Sequence, residues 1–251
     1  MSYIIAICGK GGTGKTTFAG LIVRWLLQSL KANSILAVDA DPNSNLDQTL
    51  GVKSENSIVS IIDDISKNPA RIPQGITKDR FLEYQIQDSL VEANGFDLLV
   101  MGRPEGPGCY CFANNLLRTL IDKLSRSYSY IVVDNEAGME HLSRRTTRKI
   151  DLLFIISDWS LSGLRAARRI MDLTGELALE VREARLVINK ALDGLNQLKE
   201  EIDKVGVPLA GTIPEDEEVF KIALKNSNIL SLPEDSGAVK AVDEICLKLL
   251  A

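Results

Sequence analysis

The feature of this 251-residue sequence that most limits its fold is a glycine-rich segment at residues 9–17, which reads GKGGTGKTT. The segment fits the phosphate-loop pattern G-x-x-x-x-G-K-[ST]. The apolar run YIIAIC, residues 3–8, comes directly before it, and an amphipathic stretch begins at Lys15. When a glycine loop connects a strand to a helix in this order, the backbone N–H groups of the loop and the N-terminus of the helix point at a common site, which suits a phosphate. The sequence therefore predicts a phosphate site where the first strand ends.

Short β-branched apolar runs alternate with longer amphipathic stretches along the whole chain, which is typical of a mostly parallel sheet with helices on both faces. Predicted strands are 3–8, 34–38, 97–101, 130–133, 152–156, 184–188 and 209–213, and predicted helices are 15–30, 115–126, 162–181, 196–205, 215–225 and 235–250. No repeat or Pro/Gly-rich linker divides them, so we predict one α/β domain over residues 1–251, a P-loop NTPase. Residues 52–92 are less regular, and we expect a helical insertion there.

The charge balance limits the partners that the chain can attract. Lys and Arg number 29 and Asp and Glu number 34, which gives a net charge of −5. An acidic chain has little electrostatic attraction for nucleic acid or anionic lipid. The apolar runs are shorter than the ~18 residues of a membrane span, and the N-terminus lacks the basic leader of a signal peptide. We therefore expect a cytoplasmic protein that binds neither nucleic acid nor membrane.

The chemistry of a phosphate loop assigns roles to its residues. Lys15 reaches the β- and γ-phosphates of ATP, and the hydroxyl of Thr16 coordinates Mg²⁺. The glycines allow backbone N–H groups to curl around phosphate oxygens. The predicted ATP-binding residues of the loop are Gly9, Lys10, Gly11, Gly12, Thr13, Gly14, Lys15, Thr16 and Thr17.

Carboxylates follow two of the predicted strands. Asp39 and Asp41 lie in VDADPN after the second strand, and Asp134 ends the run YIVVD. Side chains at the carboxyl ends of central strands face the ligand crevice of an α/β sheet. We expect Asp39 and Asp134 to hold Mg²⁺ and Asp41 to position the attacking water as a catalytic residue. Gly138, in the segment NEAGMEH that follows, can donate its N–H to the γ-phosphate, whereas His141 has no clear role.

Two of the four cysteines are spaced as C-x-C. Cys109 and Cys111 follow the turn RPEGPG and precede a predicted helix. Two thiolates leave a metal two ligands short of a four-sulfur site, and a twofold dimer supplies the missing pair. Such a site suits tetrahedral Zn²⁺ or square-planar Ni²⁺. From the residues alone, a coincidental or packing pair remains an alternative. Cys8 and Cys246 lie in a buried strand and the last helix and are expected to be core.

The loop also resembles the deviant form found in the group of ParA, MinD and the nitrogenase iron protein, because Lys10 follows the first glycine directly. This resemblance implies a homodimer in which Lys10 reaches the nucleotide of the partner chain as a catalytic residue, beside Lys15. It also implies that Asn189 reads the adenine edge with Lys190 next to it. Pro214 and Glu215 then close the other side of the base.

The segments RPEGPGCYC and DNEAGMEHLSR, with the deviant loop and DADP, are similar to the CooC-type nickel-insertion ATPases over essentially the whole chain. The resemblance implies an ATP- and Mg²⁺-dependent homodimer that binds Ni²⁺, or Zn²⁺ at the same site, through Cys109 and Cys111. It further implies a nickel enzyme as the target: carbon monoxide dehydrogenase, acetyl-CoA synthase or both.

Two other functions remain possible from the sequence. An electron-transfer ATPase like the nitrogenase iron protein would hold one iron–sulfur cluster between two chains. Its cysteines come from separate segments, but residues 134–143 here contain none. A positioning or partition ATPase would bind membrane or DNA, but the C-terminal VKAVDEICLKLLA has balanced charge.

Overall fold

A mostly parallel sheet forms the centre of the protein in the computed structural model. The structure describes residues 2–32, 34–103, 110–136, 149–177, 179–192, 198–225 and 227–250, with backbone alone at 110–112. The strands are β1 (Tyr3–Gly9), β2 (Ile35–Ala40), β3 (Val91–Glu92), β4 (Phe96–Val100), β5 (Tyr130–Asn135), β6 (Lys149–Asp158), β7 (Glu180–Ala191) and β8 (Leu209–Pro214). The α-helices are α1 (Lys15–Gln28), α2 (Leu46–Leu50), α3 (Ile58–Lys67), α4 (Lys78–Asp88), α5 (Tyr110–Leu124), α6 (Leu161–Glu176), α7 (Lys199–Asp203), α8 (Glu217–Lys225) and α9 (Gly237–Leu250). Short 3₁₀ helices lie at Pro69–Arg71 and Ile229–Ser231.

The order of the strands brings the phosphate loop to the middle of the sheet. The strands run β3-β4-β2-β5-β1-β6-β7-β8, and β1 pairs in parallel with β5 on one side and β6 on the other. Edge strand β3 is antiparallel to β4. The loop after β1 is thus flanked by the carboxyl ends of β5 and β6, where ligands bind in open α/β sheets.

Helices cover both faces of the sheet because the strands are apolar on both sides. Ile5 and Ile7 of β1 belong to the core under α1 and α9, whereas Ala6 and Cys8 belong to the core under α6 and α7. A further cluster joins β2, β4 and β5 to α3, α4 and α5. The alternation along β1 follows from the period of two in a strand, and it explains why that strand reads as a continuous apolar run.

The predicted fold class, an α/β P-loop NTPase with a mostly parallel sheet in one domain, is confirmed. Each predicted strand is present. Two predicted helix boundaries are wrong. The helix assigned to 115–126 begins at Tyr110. The helix assigned to 162–181 ends at Glu176, and Glu180 already pairs with Lys149 as part of β7. Leu173, Leu177 and Val181 are spaced four residues apart, so they continue the apolar helix pattern past the end of the helix and obscure the change to a strand.

The irregular region 52–92 contains α3, a 3₁₀ turn, α4 and the short β3 in the structure. Helix α3 starts at a reciprocal cap, because the Ser57 hydroxyl accepts from Ser60 N and the Ser60 hydroxyl accepts from Ser57 N. Strand β3 was not predicted, since two residues are too few to show a period. Among the described residues, no helix combines the length and the apolar character needed to cross a membrane.

Candidate nucleotide-binding site

The phosphate loop has the backbone conformation that its glycines permit. Gly12 and Gly14 have φ angles of +80° and +87°, a left-handed region that residues with a Cβ rarely adopt. A Cβ on Gly9 would lie 2.3 Å from the carbonyl oxygen of Ile156, so β1 and β6 could not approach as they do with any other residue there. The loop is closed internally by the Thr13 hydroxyl, which donates to Lys10 O over 2.8 Å.

The N-terminus of α1 is open toward the loop. Its N-cap is Gly14, which supplies no capping side chain, and the first turn contains no acidic residue. The free N–H groups and the helix dipole therefore favour an anion. Lys15 begins the helix and is only 7% exposed, so its charge is held inside the site rather than in solvent. This arrangement can bind the phosphates of a nucleotide.

Asn189, at the end of β7, fastens the loop from the opposite side. Its Nδ2 donates to Thr13 O over 2.8 Å, and its Oδ1 accepts from Lys190 N over 3.0 Å. Lys190 adopts a φ of +54°, and its Nζ lies 3.5 Å from Gly12 O. The family resemblance implies a base-reading role for Asn189, and the structure adds a contact to the phosphate loop that the sequence does not indicate.

Two predicted magnesium carboxylates lie side by side at the end of the central strands. Asp39 of β2 is in register with Asp134 of β5, and both are buried. Burial raises the pKa of Asp39 to about 7 although Leu46 N donates to it, and the charge of Asp134 adds to the rise. Burial likewise raises the pKa of Asp134 to about 6, while Thr16 and the charge of Lys15 act in the opposite direction. A cation between these carboxylates would relieve the cost of burying them.

The residues present fit Mg²⁺. Asp134 Oδ1 is buried and has no hydrogen-bond partner, so one hard oxygen donor is free to meet a cation or its bound water. The Thr16 side chain forms a hydrogen bond with the Asp134 carboxyl, which lowers the pKa of that carboxyl. Thr16, Asp134 and Asp39 would hold the ion, which when bound supplies positive charge to the β- and γ-phosphate oxygens.

Asp41 and Lys10 lie nearer to solvent. Asp41 Oδ1 accepts from the backbone and side-chain nitrogens of Asn43, which holds the turn after β2. Lys10 is exposed, and its Nζ lies 3.1 Å from Ser162 Oγ at the start of α6. In the single chain, therefore, the Lys10 side chain contacts the N-terminus of α6.

A pocket of about 820 Å³ extends from the phosphate loop toward α8. Gly14 and Thr17 line its phosphate end. The predicted base-binding residues Asn189, Lys190, Pro214 and Glu215 all line it as well, so the structure brings these four together beside the loop. Further lining residues that sequence reasoning missed are Phe18, Leu21, Asp216 and Phe220.

Asp216 joins the two helices beside this pocket. Its Oδ1 accepts from Glu218 N over 2.8 Å, and its Oδ2 accepts from Ser236 Oγ and Ala238 N over 2.7 and 2.9 Å. Burial alone raises the pKa of this carboxyl, but the hydrogen bonds outweigh it and hold the pKa below the ordinary value. The signal for this role was an aspartate at the start of a helix followed by two glutamates, a typical N-cap.

Several predicted residues cannot be placed. Gly138, His141 and Cys109 lie outside the described residues, and for Cys111 the structure gives the helical backbone of α5 alone. Within the described ranges, no group of three or more His, Cys, Asp or Glu side chains could hold a metal ion. The other two cysteines, Cys8 and Cys246, are buried free thiols, as expected.

Comparison with known proteins agrees with this geometry. A family model described as the CobQ/CobB/MinD/ParA nucleotide binding domain matches residues 4–229. An uncharacterized ATP-binding protein of Methanocaldococcus jannaschii is 45% identical over 98% of both chains. The carbon monoxide dehydrogenase accessory protein CooC of Rhodospirillum rubrum is 33% identical over 70% of both. The solved structure of MinD with Mg-ADP from Pyrococcus horikoshii superposes with a TM-score of 0.74 at 20% identity, covering 100% of this chain and 96% of that one.

Proposed function

The chain belongs to the CobQ/CobB/MinD/ParA nucleotide-binding family as a P-loop ATPase, and from this premise we propose that it is an ATP-dependent nickel metallochaperone. Its target is a nickel enzyme, carbon monoxide dehydrogenase or acetyl-CoA synthase. The observation that carries the proposal is the 33% identity with CooC, a carbon monoxide dehydrogenase accessory protein, over 70% of both chains. That relative is more similar in sequence than the MinD proteins, of which the first is 23% identical.

The distribution of the cysteines supports thiolate binding at Cys109 and Cys111. Cys8 is 2% exposed, and burial raises the pKa of its thiol to about 12. Cys246 is fully buried, and burial raises its pKa as well. Burial in the core and a raised pKa both disfavour the thiolate, which is the form that binds metal. This favours the C-x-C pair as the source of the cysteine ligands for nickel, with two protomers supplying the four sulfurs of one site.

The phosphate loop provides the gate for such a dimer. The loop and Lys15 bind the phosphates, and Asp41 orients the water that attacks the γ-phosphate. In the dimer, Lys10 leaves Ser162 and contacts the nucleotide of the other protomer. This contact strengthens ATP binding, and it is made only in the closed dimer. ATP shifts the population toward closure because it binds that state more tightly. Hydrolysis removes the difference, and the dimer loosens and releases the metal to the target enzyme.

The test is nickel titration with and without ATP, read by the charge-transfer absorption of bound nickel and by molar mass. We expect one Ni²⁺ per dimer for the wild type and for a Cys8→Ala/Cys246→Ala control. A Cys109→Ala/Cys111→Ala variant should lose the ion while it still hydrolyses ATP. Nickel binding that persists in the second variant would show that the site is elsewhere.

Two further variants separate the nucleotide steps. Lys15→Ala should abolish ATP hydrolysis, because the phosphates lose the charge that holds them. Lys10→Ala should still bind nucleotide as a monomer but should not dimerise with ATP, as measured by light scattering. Full hydrolysis by Lys15→Ala would refute the catalytic assignment, and an iron–sulfur absorption in protein purified without oxygen would favour electron transfer instead.

A further inference from the structure

Phe220 is an exposed aromatic residue in the wall of the nucleotide pocket. Its side chain is 64% exposed although it lines the pocket together with Val219 and Ala223 of the same helix, α8. Leu224, one turn later on α8, is 71% exposed and does not line the pocket. The aromatic ring of an exposed phenylalanine presents apolar surface to water. A flat ligand that covers the ring removes this surface from water, which favours binding.

The Asp216 side chain fixes the position of Phe220. Asp216 accepts from two backbone N–H groups in the first turn of α8 and from Ser236 and Ala238 at the start of α9. Phe220 N also donates to Asp216 O over 3.2 Å. Helix α9 is anchored in the core by Val239, Val242 and other buried residues. The first turns of α8 are thus held against a rigid element, and Phe220 stays at the rim of the pocket.

The charges of the pocket decide which end of a nucleotide lies at Phe220. The phosphate end has the open N-terminus of α1 and the buried Lys15. The opposite end carries Glu215, Asp216 and Glu217 around the apolar wall. Acidic side chains repel phosphates, so a bound nucleotide points its phosphates to the loop and its base to α8.

We propose that Phe220 is a positioning residue of the nucleotide site, whose ring stacks on the base of the bound nucleotide. The proposal rests on the proposed ATP site and adds the residue that holds the base. One pocket extends from the phosphate loop to α8, so a nucleotide whose phosphates lie on the loop has room to place its base at α8. Stacking of a base on an aromatic side chain contributes about 1–3 kcal/mol, enough to change affinity about 5- to 150-fold.

Calorimetric titration of the full chain with Mg-ADP and with tripolyphosphate tests this assignment. ADP avoids hydrolysis, and tripolyphosphate contacts the loop but has no base. Phe220→Ala should bind ADP about tenfold more weakly than the wild type and tripolyphosphate with unchanged affinity. Phe220→Trp should restore ADP binding. Leu224→Ala, the matched control on the same helix, should bind both ligands as the wild type does.

Three results would overturn the proposal: Phe220→Ala binds ADP with wild-type affinity, it loses tripolyphosphate to the same degree, or Leu224→Ala loses ADP equally. Loss of ADP binding that Phe220→Trp does not recover would also exclude stacking. Both residues are mostly exposed, so the variants should keep the circular dichroism spectrum of the wild type. A wild-type chain that binds tripolyphosphate and ADP but no nickel would contradict the metallochaperone proposal and leave the role of Phe220 intact.

Discussion

Gly14 lies where the phosphate loop, α1 and β7 meet, and replacing it by alanine disturbs two separate things. The φ angle of +87° is unfavourable for any residue with a Cβ. The added Cβ would also lie 2.3 Å from Asn189 Nδ2, the atom that donates to Thr13 O. Gly12 offers a matched control, since its φ is +80° but a Cβ there would meet nothing within 4 Å.

The difference between the two glycines isolates the Asn189 contact. A left-handed alanine costs about 1–2 kcal/mol, which is the whole expected effect of Gly12→Ala on the free energy of unfolding. Gly14→Ala bears the same cost and displaces Asn189, which removes a hydrogen bond that contributes about 1 kcal/mol. In an Asn189→Ala background that bond is already absent. Gly14→Ala should therefore cost about 1 kcal/mol less there than in the wild type.

The assay is urea unfolding without nucleotide, followed by far-ultraviolet circular dichroism, for the wild type, the three single variants and the Gly14→Ala/Asn189→Ala double variant. The slopes should stay constant, so that midpoints report stability. Equal losses for Gly12→Ala and Gly14→Ala, with a coupling free energy near zero in the double-mutant cycle, would refute the reasoning. The φ angle alone would then account for the glycine.

Three other outcomes are expected. The lowered pKa of Asp216 stabilises the folded state above pH 3.8, the ordinary pKa, and this stabilisation is lost as the pH falls through the pKa of the folded state. The urea midpoint of Asp216→Asn should therefore lie below that of the wild type at pH 7 and approach it at pH 3, and a difference between the two midpoints that does not change with pH would contradict the linkage. Because Cys8 and Cys246 are both buried, they should resist maleimide at pH 8 in the folded protein and react in urea, as measured by mass spectrometry. Labelling of either cysteine in the folded protein would show that its strand or helix opens. Phe154→Ala should lower the free energy of unfolding by about 3–5 kcal/mol, because Phe154 is 0% exposed and its ring packs edge-on against that of Phe18, with the ring centroids 5.0 Å apart. A loss below about 1 kcal/mol in urea unfolding would mean that neighbouring side chains move in to fill the cavity.

The parts of the fold that follow from consecutive residues are predictable from the sequence. The buried run before Gly9, the glycine loop and the amphipathic start of α1 specify a phosphate site because each depends on neighbours only. Parallel strands that are buried on both faces, such as β1 and β2, read as apolar runs and are readily predicted. Strand β8 gives a weaker signal, because Ile213 is its one buried residue. Boundaries are less certain where the periods of helix and strand overlap, as they do before β7.

The tertiary structure alone decided which contacts the distant residues of the site make with one another. Asp39 faces Asp134 because β2 and β5 are neighbours in register, although 95 residues separate them in the chain. Asn189 secures Thr13 across 176 residues, and Lys10 extends to Ser162 across 152. In the sequence, Phe220 is an ordinary residue of an amphipathic helix. In the structure, the hydrogen bonds that Asp216 accepts hold that helix beside the pocket. The sequence by itself determined that a glycine-rich phosphate loop connects β1 to α1, because local backbone chemistry suffices for that. Strand order and packing determined what surrounds the loop, since those contacts exist only when distant segments meet.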